Sequence, residues 1–193
     1  EEIIRRRDAV PSFLNYRGYP ASICTSVDDE VVHGIPSDKR VLQEGSILSV
    51  DCGLILDGWQ ADSAFTVGIG KISPEKEELI RVTEQCFFAG ARMARQGFRV
   101  GDIGHAVERC VLESGYGIVR DYSGHGIGKY LHEPPQIPNY GQPGRGITLK
   151  SGMTLAIEPM VMTGSEDVVT GSDQWVVKTA DGSDAAHFEK SVL

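Results

Sequence analysis

The chain has 193 residues, a length that fits one domain, and 40% of them are hydrophobic, as in ordinary proteins with a packed core. Its formal net charge of −8 argues against the broad basic surface of a nucleic-acid-binding protein. Apolar runs such as Ile47–Val50 and Leu54–Leu56 are far shorter than the roughly 18 residues of a membrane span, and residues 1–7 do not form a secretory signal. We therefore expect a cytoplasmic protein without a DNA or membrane partner.

The first clear element along the chain is a β-hairpin. Its arms, Ile47–Leu56 and Trp59–Val67, are rich in residues that favour strands. Asp57-Gly58 between them is a strong signal for a two-residue hairpin turn. The hairpin is therefore predicted with Leu56 facing Trp59.

Two helices are predicted after the hairpin. The first begins at the N-cap Ser73, has Pro74 and several glutamates in its first turns, and ends at Gly97. The second runs from Asp102 to Ser114. The predicted buried faces are Leu79, Val82, Cys86, Gly90 and Met93 in the first helix, and Ile103, Ala106, Val107 and Cys110 in the second.

The second half of the chain consists of short β-rich runs separated by glycine and proline. Ser123–Gly128 and Pro134–Pro143 are predicted loops, whereas Met153–Met162, Gln174–Thr179 and His187–Leu193 are predicted strands. Two helices among antiparallel strands predict an α+β fold. The chain stops inside its last apolar run, as a clipped C-terminus would, and the N-terminal end allows the same interpretation.

Two aspartates of the hairpin carry the strongest signal of a site. Asp51 interrupts an otherwise apolar strand, where an ionised carboxylate costs several kcal/mol unless it is paired or metal-bound. The turn register places Asp51 opposite Ala64 and Asp62 opposite Gly53, so the two carboxylates are diagonal neighbours with Cβ atoms about 7 Å apart. Cations between them would offset their repulsion. The alternative is one locally satisfied aspartate and one at an edge.

Two glutamates and three histidines give weaker local signals. Glu158 ends an apolar run before a proline, and Glu189 by itself resembles a solvent-facing strand residue. His125 lies among glycines that allow close approach to a bound centre, and the spacing matches no phosphate-binding loop. His33 and His132, taken singly, are more typical of structural histidines.

Eight short segments in fixed order carry a resemblance to a known family. Together they resemble the bacterial type I methionine aminopeptidases, members of the creatinase/aminopeptidase or pita-bread family, over essentially the whole chain. The short gap between Glu158 and Glu189 excludes the long insertion of type II relatives, while the usual N-terminal helix and final residues of type I enzymes are missing. The segments are PASICTS at 20–26, VVHGIP at 31–36, SVDCG at 49–53, ADSA at 61–64, SGHGIG at 123–128, LHEPP at 131–135, AIEPM at 156–160 and AHFEKS at 186–191.

The resemblance implies a single catalytic metallopeptidase domain over residues 1–193, with antiparallel sheets around a central metal site and helices outside. The implied activity removes the initiator methionine from nascent proteins with a small second residue, by dinuclear-metal hydrolysis with a bridging hydroxide. Two divalent ions, Co, Mn, Fe, Zn or Ni, are implied. Asp51 would bind one ion, His125 and Glu158 the other, and Asp62 and Glu189 would bridge them.

The resemblance also assigns substrate contacts. Glu158 would be the general base, His132 would stabilise charge on the scissile carbonyl, and His33 would contact the peptide nitrogen. The substrate would be a deformylated nascent polypeptide, and the family is expected to act as a monomer that contacts the ribosome transiently. The implied methionine pocket consists of Phe13, Tyr16, Tyr19, Cys24, Leu131 and Trp175, with plain core packing as the alternative for Cys24 and Leu131.

Two alternatives stay open. An Xaa-Pro aminopeptidase or prolidase-like peptidase of the same fold would share the five ligands, although VVHGIP and the Tyr16–Cys24 stretch favour methionine removal. A family member that had lost its metals would be a binding protein, and the intact ligand set argues against that interpretation.

Overall fold

The computed structural model describes residues 1–193 and has the predicted α+β architecture. The helices are α1 (Glu2–Arg5), α2 (Pro74–Ala91) and α3 (Val100–Glu113), and a 3₁₀ turn covers Tyr16–Gly18. None of these helices has the length and apolar character that crossing a bilayer requires. The strands are β1 (Val10–Pro11), β2 (Cys24–Val27), β3 (Glu30–Val32), β4 (Ile47–Asp51), β5 (Leu54–Leu56), β6 (Trp59–Ala61), β7 (Ser63–Gly68), β8 (Gly117–Ile118), β9 (Gly124–Gly126), β10 (Glu133–Ile137), β11 (Leu155–Ile157), β12 (Met160–Met162), β13 (Val168–Thr170), β14 (Val177–Thr179), β15 (Ala185–His187) and β16 (Glu189–Val192).

Seven strands form the main sheet, in the order β10-β9-β11-β16-β7-β4-β2. Three smaller sheets have the orders β1-β5-β6, β15-β12-β8 and β13-β14-β3. Helix α2 packs on α3, β15 and β7, and a buried cluster that includes Ile47, Leu79, Val107 and Val161 joins helices to sheets. The helices therefore pack on the outside of the sheets, as predicted.

The hairpin forms in the predicted register, with Leu56 paired to Trp59 and Asp51 paired to Ala64. Each arm is divided in two, because β4 and β7 pair in the main sheet while β5 and β6 pair in the sheet that contains β1. The division falls at Gly53, where an added Cβ would lie 2.6 Å from the ring of Phe13. The absence of a side chain at Gly53 therefore allows the segment that contains Phe13 to pack against the hairpin.

Helix α2 begins as predicted, with the Ser73 hydroxyl accepting a hydrogen bond from a backbone N–H of the first turn. The predicted end at Gly97 is wrong, since the helix ends at Ala91. The reason is local: the Met93 N–H donates to the Gly90 carbonyl, which tightens the chain into a turn. The predicted core residue Met93 therefore lies beyond the helix.

Helix α3 begins at Val100, slightly before the predicted start. Asp102 caps it, because its carboxylate accepts a hydrogen bond from the Arg99 N–H at 2.7 Å. The two long helices approach closely at Gly90, where an added Cβ would lie 2.6 Å from Cγ2 of Val107. Of the predicted inward residues, Ile103 and Val107 are buried, whereas Ala106 and Cys110 are half-buried.

Both segments predicted as loops contain strands. Ser123–Gly128 includes β9, and Pro134–Pro143 begins inside β10. An added Cβ on Gly124 would lie 2.3 Å from the carbonyl oxygen of Ala156, and one on Gly126 would lie 2.3 Å from a carbonyl of β10. These glycines therefore allow β9 to fit between β10 and β11 and do not mark a loop.

The three predicted strands of the C-terminal half are shorter or divided. Pro159 splits Met153–Met162 into β11 and β12, because proline has no N–H for a sheet ladder. Phe188 separates β15 from β16 within the region predicted as His187–Leu193, and Gln174–Thr179 is reduced to β14. Both interruptions lie beside a predicted metal ligand.

Candidate metal centre and substrate cleft

Five neighbouring strands bring the five predicted metal ligands together. Asp51 ends β4, His125 lies in the centre of β9, and Glu189 begins β16. Asp62 immediately precedes β7, and Glu158 immediately follows β11. Each strand in the order β9-β11-β16-β7-β4 is hydrogen-bonded to the next, so backbone ladders set the spacing of the ligands.

The predicted ligands converge on one buried point. Asp62, His125 and Glu189 are buried, and each offers a ligand atom within 4.8 Å of the other two. His125 Nε2 lies 3.6 Å from Glu158 Oε1. Asp51 Oδ1 and Glu189 Oε1 are buried without a hydrogen-bond partner, which is costly for carboxylate oxygens. Four carboxylates and one imidazole in this state fit divalent cations.

The electrostatics of the cluster also favour bound cations. Burial, reinforced by neighbouring carboxylates, raises the pKa of Asp51, Glu158 and Glu189 well above the ordinary range. Burial raises the pKa of Asp62 to about 7, although hydrogen bonds to Asp51 and the Ser63 N–H act in the opposite direction. Divalent ions would supply the missing positive charge and keep all four groups ionised.

The predicted ligand His125 is held in its neutral form. Its Nδ1 lies 2.8 Å from the Gly126 carbonyl oxygen, and a carbonyl only accepts, so Nδ1 carries the proton. Nε2 is then left with its lone pair on the side of Glu158. Burial lowers the pKa of His125, which keeps the ring in this neutral form.

The other two predicted histidines line the cleft beside the cluster. His132 Nδ1 is hydrogen-bonded to the Tyr16 hydroxyl at 2.8 Å, the two rings stack, and the His132 ring lies 4.2 Å from that of His125. His33 meets Tyr122 edge-on at 5.6 Å and has a left-handed φ of 62°. Both rings therefore border the same space as the predicted ligands.

One cavity of about 610 Å³ includes both the ligand cluster and the predicted methionine pocket. On the apolar side, Trp175 meets Tyr19 edge-on at 5.1 Å, and the Tyr19 hydroxyl donates to the Gly34 carbonyl at 2.9 Å. These contacts leave the pocket with fixed aromatic walls. Phe13, Tyr19, Cys24 and Leu131 are buried together, and Tyr16 and Trp175 pack against them.

Two residues that sequence reasoning missed contact Glu158. His187 is buried, and its Nε2 lies 3.7 Å from Glu158 Oε2 without a hydrogen-bond partner. Asn139 is also buried and donates from Nδ2 to the Glu158 carbonyl at 3.0 Å. The spacing of His187, two residues before Glu189, was a usable signal, because alternate residues of an extended chain share a side. Asn139 has no such local signal.

Comparisons with known proteins identify the family of the chain. The model of metallopeptidase family M24 matches residues 1–193. The chain is 56% identical over 192 residues to the methionine aminopeptidase of Clostridium acetobutylicum, covering 100% of this chain and 77% of that protein. The crystal structure of methionine aminopeptidase from Thermotoga maritima superposes with a TM-score of 0.98 at 45% identity, covering 100% of this chain and 77% of that chain.

More distant structures share the fold alone. The X-Pro aminopeptidase of Thermotoga maritima superposes with a TM-score of 0.69 at 20% identity, covering 89% of this chain and 44% of that chain. The family model matches residues 1–193, and the sheet order builds a buried cluster of carboxylates and histidine. The chain therefore belongs to metallopeptidase family M24 and has its pita-bread fold.

Proposed function

We propose that this metallopeptidase removes the N-terminal methionine from proteins whose second residue is small. The observation that carries the proposal is the single cavity in which the five-ligand cluster adjoins an apolar, aromatic-walled pocket. A hydrolytic metal centre beside a pocket for one unbranched apolar side chain suits an exopeptidase that selects methionine. The relatives at 56% and 48% identity carry the name of this activity.

The five ligands would hold two divalent ions, with Asp62 and Glu189 shared between them. Asp51 would complete one site, and His125 with Glu158 the other. Four carboxylates balance the charge of two divalent ions, and the mixed oxygen and imidazole donors suit Co, Mn, Fe, Zn or Ni. When bound, such ions supply Lewis-acid activation of water and of the scissile carbonyl.

Glu158 would be the general base and would pass a proton to the leaving amine. Its carboxylate lies between two imidazoles, with Oε1 at 3.6 Å from His125 and Oε2 at 3.7 Å from His187. Asn139 donates a hydrogen bond to the backbone carbonyl of Glu158. Because both its carboxylate and its backbone have neighbours, Glu158 would stay within reach of the water and the amine, as general-base catalysis requires.

His132 and His33 would contact the reacting peptide. The bond from Tyr16 to His132 Nδ1 fixes the ring and leaves Nε2 for the scissile carbonyl oxygen, where negative charge develops. His33 would contact the peptide nitrogen. Both rings are uncharged near neutral pH, because desolvation lowers the pKa of each.

The methionine side chain would occupy the apolar pocket, where a thioether packs well against aromatic edges and a thiol. The free α-amine would lie near Asp51, so a formylated methionine would be excluded and deformylation would come first. The residues assigned to this pocket are Phe13, Tyr16, Tyr19, Cys24, Leu131 and Trp175.

The remaining parts of the proposal concern the cellular setting. The substrates are nascent polypeptides, so we propose a cytoplasmic monomer that contacts the ribosome transiently. The net charge of −8 disfavours nucleic acid as the docking partner.

The decisive experiment compares hydrolysis of Met-Ala-Ser and Ala-Pro-Ala by metal-supplemented protein, with Glu158→Gln as the inactive control. We expect cleavage of the methionine peptide alone. Cleavage of the proline peptide alone would identify an Xaa-Pro peptidase. No hydrolysis, together with no bound metal by elemental analysis, would identify a binding protein of this fold.

A further inference from the structure

The substrate cleft has an uneven charge distribution. Six carboxylates line it, but Arg17 is the only lysine or arginine that does so. Four of these carboxylates belong to the proposed metal cluster. Arg17 therefore provides the one permanent positive side-chain charge at the cleft wall.

Arg17 has no carboxylate partner within the protein. Its guanidinium carbon lies 5.4 Å from the centre of the Tyr16 ring, and the side chain is exposed. Arg120 provides a contrast, because it also stands over a tyrosine ring but is paired with Glu108 and Glu166. The charge of Arg17 thus remains available to a molecule that enters the cleft.

The backbone presents Arg17 in a conformation that non-glycine residues rarely adopt. Asn15 and Arg17 have φ values of 65° and 50°, in the left-handed region. Hydrogen bonds fix the turn, from the Asn15 N–H to the Tyr19 carbonyl at 2.8 Å and from the Tyr19 N–H to the Tyr16 carbonyl at 2.9 Å. Left-handed residues held this firmly are concentrated at functional sites.

Arg17 also lies within a few peptide residues' length of His132, the residue proposed to contact the scissile carbonyl. The His132 ring centre and the Arg17 guanidinium are each 5.4 Å from the Tyr16 ring centre, so they are no more than about 11 Å apart. An extended peptide advances about 3.3–3.6 Å per residue. With the first residue in the buried pocket, as proposed above, the rest of the peptide would extend toward the exposed side of the cleft, where Arg17 lies.

We propose that Arg17 is a specificity-determining residue that binds a carboxylate at the third or fourth residue of the substrate. The inference rests on the proposed function, since it assumes that an N-terminal methionine occupies the pocket. The carboxylate has two possible sources, an acidic side chain of a longer polypeptide or the free C-terminus of a short peptide. Either one would complete the ion pair that Arg17 lacks.

Two pairs of peptides test the inference with metal-loaded protein at low ionic strength. Met-Ala-Glu-Glu-amide against Met-Ala-Gln-Gln-amide reports an acidic side chain, and Met-Ala-Ser against Met-Ala-Ser-amide reports the C-terminal carboxylate. For at least one pair we expect kcat/KM to favour the carboxylate about two- to fivefold, the range of an exposed ion pair, mainly through KM. The preference should shrink in 0.5 M salt.

Variants of Arg17 distinguish a direct contact of Arg17 with the carboxylate from a general effect of the protein's charge on the preference. Arg17→Gln should bring the ratio to one, Arg17→Glu should invert it, and Arg17→Lys should keep it above one. Lys129→Gln is the matched control, because Lys129 stands over Trp59 outside the cleft and should leave the ratio unchanged. Ratios within one variant are independent of how much of it folds.

Equal ratios in the wild type and Arg17→Gln for both peptide pairs would overturn the inference. A change confined to one pair would identify the source of the carboxylate. Failure of the wild-type protein to cleave any methionine peptide would overturn the proposed function itself.

Discussion

The metal cluster and the substrate cleft beside it are built in different ways. The cluster ligands lie on, or one residue from, neighbouring strands of one hydrogen-bonded sheet. The cleft wall comes from irregular segments around Tyr16, His33, His132 and Trp175, and three of these segments contain left-handed residues. A sheet holds ligand spacing rigidly, whereas loops tolerate substitution and carry specificity. We therefore expect changes in the sheet to abolish activity and changes in the wall to redirect or weaken it.

The largest effect should follow removal of a shared ligand. Asp62→Ala should lose at least part of the bound metal and about 100-fold or more of the activity, because it would remove a ligand proposed to serve both ions. Metal content by elemental analysis and peptide hydrolysis measure the two losses together. The exposed Asp38→Ala is the control and should retain both. Full metal content in Asp62→Ala would contradict the shared role.

Metal removal should make stability depend on pH. Asp51, Glu158 and Glu189 have raised pKa values in the metal-free fold, and that of Asp62 is about 7. Between about pH 4, the unfolded value, and pH 7 the folded state holds more protons than the unfolded state, so stability falls as pH rises. We expect Tm of the chelated protein to drop by about 5 °C or more from pH 5 to pH 8. Metal-loaded protein should show a much flatter profile, and parallel profiles would contradict this account.

A smaller effect should follow loss of the buried support for Glu158. Asn139→Ala leaves the Glu158 carbonyl without its donor and should lower the free energy of unfolding by about 1–3 kcal/mol. Denaturant unfolding measures the change. Gln43→Ala removes a comparable amide-to-carbonyl bond at the exposed Val41 carbonyl, where water replaces it, and should cost under about 0.5 kcal/mol. Equal costs would show that burial at Asn139 is unimportant.

The smallest effect concerns the cleft wall. Tyr16→Phe removes the hydroxyl that orients His132 and should lower kcat/KM about three- to tenfold, the worth of one hydrogen bond. Metal content should stay unchanged, because the wall does not hold the ligands. Tyr130→Phe, at an exposed tyrosine, is the control. Loss of metal in Tyr16→Phe would mean that wall and cluster are coupled.

Local chemistry was sufficient to predict the hairpin and its two aspartates. The Asp57-Gly58 turn sets the register, and the period of a strand then determines which side chains share a face. The observed pairing of Asp51 with Ala64 follows directly. The start of α2 at Ser73 was equally predictable, because an N-cap acts within its own turn.

The predictions failed where residues far apart in sequence meet. Glycines at Gly124 and Gly126 suggested a loop, but they allow a strand to approach two others closely. Only the packed neighbours show that these glycines belong to a strand. The end of α2 was missed for a local reason, because the chain turned before Gly97 through its own backbone hydrogen bonds.

The sequence by itself determined the register of the hairpin, the α+β class and, through eight ordered segments, the family. The tertiary structure showed how five neighbouring strands place the carboxylates and the imidazole around one buried point. It also brought His187 and Asn139 to Glu158, and left Arg17 as the only cation in the cleft. The physical reason is the sequence separation over which each interaction acts. Turns and helix caps involve residues a few positions apart, whereas burial, charge pairing and ligand geometry depend on segments that only the folded sheet brings together.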